Sequence, residues 1–133
     1  MKEARAIRKR GFSHTVEIRG GDHILTADES RKDGGHDEGP SPQELLAASL
    51  ASCSAVTLEM YAKRKGWNVD NVMVEVSYEP AQRGSPTRFQ IAVKLPRELP
   101  EEQRERLMQI VARCPVHRTL EGEVIFDEKL ELV

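Results

Sequence analysis

The sequence predicts an α+β fold in which antiparallel β-sheet packs on two main helices. Three observations support this class: strand-type alternation in the first and middle parts of the chain, a long helical pattern between them, and a second helical pattern near the end. The predicted order of strands, long helix, strands, helix and strand is typical of helices packed on antiparallel sheet. At 133 residues we expect a single domain, residues 1–133, with a core of useful size.

The strands follow from alternation of apolar and polar residues. From about residue 3 to 28 the pattern is strand-like: Val16 and Ile18 face one way, and Thr15, Glu17 and Arg19 lie on the opposite, wet face. Gly20-Gly21-Asp22 is typical of a hairpin turn. Alternation in the middle of the chain predicts two strands that pair antiparallel, with one face of the pair exposed to solvent. Their alternating residues are Val72, Val74, Val76 and Tyr78, then Phe89, Ile91, Val93 and Leu95. A last strand is predicted from Val124, Phe126, Leu130 and Leu132.

The first helix has a well-marked start and end. Ser41 and Glu44 form a Ser-x-x-Glu capping box, Pro42 fits the first helical position, and Gly66 follows basic residues at the end near 63–65. The predicted apolar face consists of Leu46, Leu50, Cys53, Thr57 and Met60. Since six short strands in one chain do not suffice to cover so apolar a helix, we expect a homodimer in which two such helices share a core.

The second helix is predicted to open at Pro100 and to end or kink at Pro115, before a short turn over residues 116–120. Its predicted buried stripe is Leu107, Ile110, Val111 and Cys114. Between the first strands and the first helix, residues 28–40 form a polar, glycine-rich loop. A loop of that length in a compact domain is more often functional or mobile than idle.

Composition excludes several classes of function. A net charge of −2 argues against nucleic acid as the main partner, because phosphate binding requires a clear excess of Lys and Arg. No run of about 18 apolar residues predicts a membrane span, and the basic N-terminus lacks the apolar run of a secretory signal. We therefore expect a cytoplasmic protein, in which thiols rest reduced and a disulfide is transient and catalytic.

The two cysteines, Cys53 and Cys114, each lie on the apolar stripe of a predicted helix. Three interpretations follow: inert buried packing, a weak zinc site completed by His117, or a reactive thiol pair. Cys53 lies about 18 Å from the start of its helix at 1.5 Å per residue, too far for the helix dipole to act. A reactive Cys53 thus requires a cation from outside the helix, for which Arg19, Arg31 and Arg118 are candidates.

Three ordered motifs that span nearly the whole chain resemble the OsmC/Ohr superfamily of osmotically inducible and organic hydroperoxide resistance proteins, with His23-x-x-Thr26-Ala27-Asp28-Glu29 upstream as in its OsmC-like branch. The motifs are Gly39-Pro40-Ser41-Pro42-x-Glu44-Leu45-Leu46 with Ala51-Ser52-Cys53, Tyr61-Ala62-x-Arg64-Lys65-Gly66-Trp67, and Cys114-Pro115-Val116-His117-Arg118-Thr119-Leu120. The resemblance implies an intertwined homodimer, an active site at the subunit interface and thiol-dependent reduction of peroxides.

The resemblance also implies the roles of the two thiols. Cys53 would attack the peroxide oxygen and become a sulfenic acid, and Cys114 would convert that acid to a disulfide. A small dithiol or thioredoxin-type donor would then reduce the disulfide. An apolar lining favours organic hydroperoxides, and no cofactor or metal is expected.

The sequence departs from the superfamily pattern at one position. The superfamily peroxidases have a Glu ten residues before the reactive Cys, where this chain has Gln43, with Glu44 one step later. Glu44 lies about 13 Å along a straight helix from Cys53 and on its opposite side, so capping is the better interpretation of its role. We keep Cys53, Cys114, Arg19 and Glu44 as candidate catalytic residues.

Two alternative functions remain open from the sequence. The first is a non-redox protein of the same fold that binds a small molecule through the polar loop at 28–40 and the dimer-interface cleft. The second is a purely structural role, which leaves that loop unexplained.

Overall fold

The computed structural model describes residues 1–133 and contains five strands and three α-helices. The chain divides into two compact units, residues 1–48 and 49–133, which are described one after the other. Two separate antiparallel sheets confirm the α+β class, although one strand fewer forms than the sequence predicts. The single domain over residues 1–133 stays a prediction.

The first unit contains a three-stranded antiparallel sheet. Its strands are β1 (Ala4–Arg10), β2 (Ser13–Ile18) and β3 (His23–Ala27), in the order β1-β2-β3. The predicted hairpin turn is confirmed as a short 3-10 turn at Arg19–Gly21. Gly20 adopts a φ of 68° in this turn, a left-handed conformation that glycine tolerates at no steric cost.

The polar loop after β3 is ordered around one buried carboxylate. Asp28 is 1% exposed and accepts hydrogen bonds from the backbone N–H groups of Glu29 (2.7 Å), His36 (3.3 Å) and Glu38 (3.1 Å). Burial by itself raises the pKa of Asp28, but these three N–H groups outweigh it, so the pKa lies below its ordinary value. The loop is therefore folded back on the Asp28 carboxylate.

Two glycines in this loop are required by close backbone approach. A Cβ on Gly35 would lie 2.0 Å from the carbonyl oxygen of Glu29, and one on Gly39 would lie 2.1 Å from that of Thr26. No side chain fits at such distances without moving the backbone. The glycine content of residues 28–40 therefore reflects tight packing of the loop on itself and on β3.

The long helix α1 (Pro42–Lys65) has the predicted start and end. The capping box is formed: the N–H of Glu44 donates to the Ser41 hydroxyl (3.1 Å), and the N–H of Ser41 donates to the Glu44 carboxylate (2.9 Å). Gly66 follows the last helical residue with a φ of 73°, the left-handed conformation that closes many helices.

The buried face of α1 differs in part from the predicted stripe. Leu50 is buried as expected, but Met60 is 65% exposed, and Leu58 is fully buried in its place. Two residues correspond to about 200° around a helix, so burial of Leu58 turns Met60 outward. The fully buried residues at four-residue spacing are Leu50, Ser54, Leu58 and Ala62.

By length and composition alone, α1 is apolar enough to cross a membrane, although the same composition occurs in core helices of soluble proteins. A single helix of this kind is weak evidence for a membrane span. Only 22% of the most apolar 18-residue stretch of α1 is buried within this chain. Much of the apolar surface of α1 therefore remains uncovered by this chain.

The second unit has its own core below a two-stranded sheet. Strands β4 (Met73–Tyr78) and β5 (Phe89–Lys94) pair antiparallel, with Val74 opposite Val93. Every second residue of each strand is half-buried, which confirms the predicted wet and dry faces. The buried cluster of this unit consists of Leu58, Ala62, Val69, Leu99, Leu107, Ile110 and Val111.

The end of the chain differs from the sequence prediction in two respects. Helix α2 (Glu101–Val111) stops before Cys114, and Pro115 begins a further helix, α3 (Pro115–Glu121), where a short turn was predicted. Proline suits a first helical position because its missing N–H has no helical partner there. The predicted stripe is nonetheless confirmed, since Leu107, Ile110, Val111 and Cys114 are all buried.

The predicted last strand is wrong for the single chain. Residues 123–133 have no regular secondary structure and are exposed throughout. A strand requires a neighbour for its backbone N–H and C=O groups, and no strand of this chain pairs with the segment. The apolar side chains left in solvent include Ile125, Phe126, Leu130 and Leu132.

The core of the second unit provides a matched test of packing. Leu107 is fully buried, whereas its neighbour Met108 is 48% exposed. We expect Leu107→Ala to lower the free energy of unfolding by about 2–5 kcal/mol, because it leaves a cavity. Met108→Ala should change it by less than about 0.5 kcal/mol. Urea denaturation of both variants at one protein concentration measures the difference, and equal losses would contradict this core.

Candidate thiol site

The structure brings the two cysteines together within the second unit. Cys53 is half-buried on α1, Cys114 is fully buried between α2 and α3, and both are free thiols. The two thiols are in hydrogen-bond contact. Contact between the two sulfurs is the first requirement for a disulfide between them.

Cys114 is fixed by its position at the start of α3. Its Sγ accepts a hydrogen bond from the backbone N–H of His117 (3.3 Å), as a capping side chain does. Its carbonyl oxygen accepts the N–H of Arg118 (3.0 Å), the first hydrogen bond of the helix. Cys114 is therefore both the cap of α3 and the partner of Cys53.

Two further donors surround the Cys53 sulfur. Burial is the strongest influence on its pKa and raises it, and contact with the Cys114 thiol raises it further. The backbone N–H of Val116 and the Thr57 hydroxyl lower it by hydrogen bonding. The net effect is a pKa above the ordinary cysteine value, so the resting thiol is protonated at neutral pH.

The cation predicted beside Cys53 is not among the strongest influences on its pKa. Arg19 lies in the 3-10 turn after β2 with a φ of 55°, and the prediction that it lies on the wet face of a strand is wrong. Its guanidinium contacts Asp22 (3.7 Å) and His23 (2.6 Å). Arg31 and Arg118 are exposed.

Glu44 and His117 have structural partners of their own. The Glu44 carboxylate accepts the N–H of Ser41, and this hydrogen bond, together with the Ser41 hydroxyl, lowers its pKa. The His117 ring contacts the Glu121 carboxylate through Nδ1 (2.8 Å). In the structure the Glu44 carboxylate therefore acts as a helix cap.

A groove of about 540 Å³ in the second unit lies beside the thiol pair, although neither cysteine lines it. Two of its lining residues adjoin the cysteines: Thr57 contacts Cys53, and Pro115 follows Cys114 in the chain. Its remaining lining combines apolar and basic side chains: Met60, Tyr61, Lys63, Arg64, Ile110 and Arg113. We call this feature the thiol groove.

Sequence reasoning did not identify Thr57 or the Val116 amide as neighbours of Cys53. The sequence predicts Thr57 on the same helix face as Cys53, four residues further along. This spacing of about one helical turn was the available signal that the Thr57 hydroxyl could reach the Cys53 sulfur. The Val116 amide has no sequence signal, because it depends on Pro115 beginning a helix where a turn was predicted.

The fold is similar to several solved structures. A putative osmotic stress induced and detoxification response protein from Psychrobacter arcticus is 22% identical, with a TM-score of 0.75 over 90% of this chain and 88% of that chain. An OsmC-like protein from Mycoplasma pneumoniae is 21% identical, with a TM-score of 0.78 over 92% and 88%. An organic hydroperoxide resistance protein OsmC from Legionella pneumophila is 21% identical, with a TM-score of 0.67 over 92% and 90%. At these identities the similarity establishes the fold.

No curated protein matches the sequence. The sequence model of the family described as OsmC-like protein matches residues 35–129, which is more than half of the chain and includes both cysteines. All three motifs that resemble the superfamily fall within that range. The chain therefore belongs to the OsmC-like protein family.

Proposed function

We propose that this protein is a thiol-dependent peroxidase that reduces organic hydroperoxides through Cys53 and Cys114. The observation that carries the proposal is the contact between one half-buried and one fully buried thiol. The names of the similar structures from Legionella pneumophila and Bacillus subtilis, both organic hydroperoxide resistance proteins, support the same chemistry.

The difference in exposure assigns the two roles. Cys53 is the thiol that a substrate reaches first, so its thiolate attacks one peroxide oxygen, the O–O bond breaks, and the alkoxide leaves as an alcohol after taking a proton. Cys53 becomes a sulfenic acid. The Cys114 sulfur then attacks the Cys53 sulfur and water leaves. One hydroperoxide and two thiols thus give one alcohol, one water and one disulfide.

The surroundings of Cys53 support this sequence of steps. The Val116 N–H and the Thr57 hydroxyl each favour the thiolate over the thiol. The N–H of His117 donates a hydrogen bond to the Cys114 sulfur, which fixes the orientation of the second thiol. Apolar groove residues favour an alkyl hydroperoxide, since burial of each CH₂ contributes about 0.8 kcal/mol.

Activation of Cys53 also requires a cation, because burial and Cys114 together hold its pKa high. Arg19 remains our candidate for this cation, and Glu44 remains our candidate for a carboxylate that orients the cation. We assign both roles to the assembled protein. In the chain described here, Arg19 contacts Asp22 and His23, and Glu44 caps α1. Either role requires these side chains to exchange partners.

The assembly that we propose is a cytoplasmic homodimer. Two features favour it: the uncovered apolar surface of α1, including Val56 at 47% exposure, and the unpaired apolar tail at residues 123–133. A second copy of the chain can cover the apolar surface of α1 and pair with the tail at residues 123–133. A dithiol or thioredoxin-type donor restores the thiols, and the proposed chemistry uses no cofactor.

One observation favours a second candidate function, a non-redox small-molecule-binding protein of the same fold. The raised pKa of Cys53, with no cation among its strongest influences, is also what an inert buried cysteine shows. The thiol groove would then hold a ligand without redox chemistry.

The two functions predict opposite outcomes for a thiol titration. One equivalent of cumene hydroperoxide should remove both free thiols of each chain as the disulfide forms. The Cys53→Ser variant should lose none, and the Cys114→Ser variant should lose one, as a sulfenic acid. Thiols that survive the peroxide in the wild-type protein would contradict the peroxidase and favour the binding protein.

The raised pKa of Cys53 predicts a pH dependence. Alkylation of Cys53 by iodoacetamide should accelerate as pH rises through and beyond the ordinary cysteine range near 8.5, because only the thiolate reacts. The Cys114→Ala variant should show a lower pKa for Cys53, since the neighbouring thiol raises it.

The same pH profile tests Arg19. In the assembled protein Arg19→Gln should raise the pKa of Cys53 further, whereas Arg5→Gln, which removes a charge from the exposed strand β1, should leave it unchanged. A profile that is identical in Arg19→Gln and wild type would remove Arg19 from the candidate residues.

The proposed dimer predicts a mass of twice the 15.0 kDa chain in analytical ultracentrifugation. A double substitution in the tail, Ile125→Asp with Phe126→Asp, should shift the equilibrium toward the monomer, because it places charges in the segment that we expect to be covered. The matched control is Lys129→Gln with Glu131→Gln, which removes the exposed ion pair of the tail. A wild-type protein that sediments as a monomer would contradict the assembly.

A further inference from the structure

A second concave site lies in the second unit, where two loops meet. One loop follows α1 and covers residues 66–71, and the other connects β5 to α2 over residues 95–100. Between them is a pocket of about 480 Å³, a volume in the range of small-molecule sites. We call it the loop pocket. None of its lining residues belongs to the apolar surface of α1 or to the tail at 123–133, which we propose that a second copy covers.

Contacts within the chain hold both loops in place. In the first loop the N–H of Trp67 donates to the carbonyl oxygen of Ala62 (2.9 Å), and in the second the N–H of Leu99 donates to that of Pro96 (3.2 Å). Each loop also inserts one side chain into the buried cluster of the second unit, Val69 from the first loop and Leu99 from the second. The walls of the loop pocket are therefore formed without a ligand, which lowers the cost of ordering on binding.

The lining combines one aromatic side chain with polar side chains that have no partner within the protein. Trp67 is half-buried and is the only tryptophan of the chain. The lining side chains that make no ion pair or hydrogen bond within the chain are Asp70, Asn71, Glu98 and Gln103. Together they offer carboxylate oxygens that accept and amide groups that both donate and accept.

Apolar side chains and backbone groups complete the loop pocket. Pro96, Leu99 and Pro100 add apolar surface to that of the indole. Pro100 also stands directly before the first turn of α2, whose N–H groups are capped by no side chain. The loop pocket thus places apolar surface beside a mixture of hydrogen-bond donors and acceptors.

The charges around the loop pocket favour a neutral ligand. No Lys, Arg or His side chain lines it, so an anion would meet the carboxylates of Asp70 and Glu98 without a basic partner. Positive charge nearby opposes a cation: Lys65 Nζ lies 5.7 Å from the centre of the Tyr61 ring, which packs edge-on against Trp67 at 5.6 Å. The positive end of the α2 dipole acts in the same direction.

From this arrangement we propose that the loop pocket binds a neutral polyhydroxylated ligand, a mono- or disaccharide. Each hydroxyl group of a sugar both donates and accepts hydrogen bonds, which matches the unpartnered carboxylates and amides of the lining. The C–H faces of a sugar ring are apolar and pack on aromatic rings, a role that Trp67 fills here. The inference goes beyond the proposed function and does not rest on it, because neither cysteine lines the loop pocket.

The single tryptophan provides a probe of the loop pocket in the unmodified protein. Its fluorescence is followed while the protein is titrated, in separate experiments, with glucose, galactose, maltose and sucrose up to high millimolar concentrations. Choline chloride and sodium acetate serve as a cationic and an anionic probe. A parallel titration of N-acetyltryptophanamide corrects for effects of each compound on the solvent.

We expect a saturable blue shift of the Trp67 emission with at least one of the four sugars, because a bound ring removes water from the indole, and none with choline or acetate. In Gln103→Ala the Kd should rise by roughly 2- to 12-fold, the range for losing one neutral hydrogen bond. Asn71→Ala should have an effect of the same size. The control variant Gln90→Ala removes an exposed amide that does not line the loop pocket and should keep the wild-type Kd.

Three results would overturn the sugar site: no saturable shift with any of the four sugars, saturation by choline or acetate instead, or a wild-type Kd in both Gln103→Ala and Asn71→Ala. Circular dichroism of each variant confirms that it is folded before Kd values are compared. The Cys53→Ser variant should bind the same sugar with the wild-type Kd. Failure of the sugar site would therefore leave the peroxidase proposal standing, since the thiol titration tests that proposal separately.

Discussion

The geometry of the thiol site depends on Cys114 as the cap of α3. A capping side chain must point back toward the first turn of its helix to accept an N–H, and Cys114 does so with its sulfur. The same orientation brings the sulfur against Cys53, and the helix that it begins places the Val116 N–H on the Cys53 side. One local interaction therefore fixes three parts of the site: the second thiol, its N–H donor and a donor for the first thiol.

The pKa of Cys53 is set by effects that oppose one another. Burial removes water from the sulfur and disfavours its charged form, whereas the Val116 N–H and the Thr57 hydroxyl favour it. Because the balance lies on the side of the neutral thiol, the chain by itself holds the sulfur in its less reactive state. Under the proposed function, reactivity would depend on charge that assembly adds, and peroxide chemistry would be linked to a correctly formed dimer.

Much of the fold could be predicted from the sequence, because its signals are local. The capping box of Ser41 and Glu44, the end at Gly66 and the alternation of β4 and β5 each depend on residues that are neighbours in the chain. The predictions that failed depend on distant partners. The segment at 123–133 alternates like a strand but finds no neighbour in this chain. Pro115, where the sequence predicts the end of a helix, instead begins α3.

The same distinction between local signals and distant partners applies to the candidate site. The two cysteines could be identified from motifs, whereas the donors of Cys53 required the course of the backbone after Pro115. Arg19 shows the limit most clearly, because alternation placed it on a strand face and the structure places it in a left-handed turn beside Asp22. Alternation gives the direction of a side chain only while the strand continues, and β2 ends one residue earlier, at Ile18.

The basic residues around the thiol groove have a structural cause. Lys63, Arg64 and Lys65 lie in the last turn of α1, where the helix dipole stabilises positive charge, and Tyr61 offers its ring face to two of them and to Arg106. These contacts neutralise none of the charge. Arg113 lies beyond the end of α2 and lines the groove with Lys63 and Arg64, so basic side chains from the ends of two helices meet at this groove.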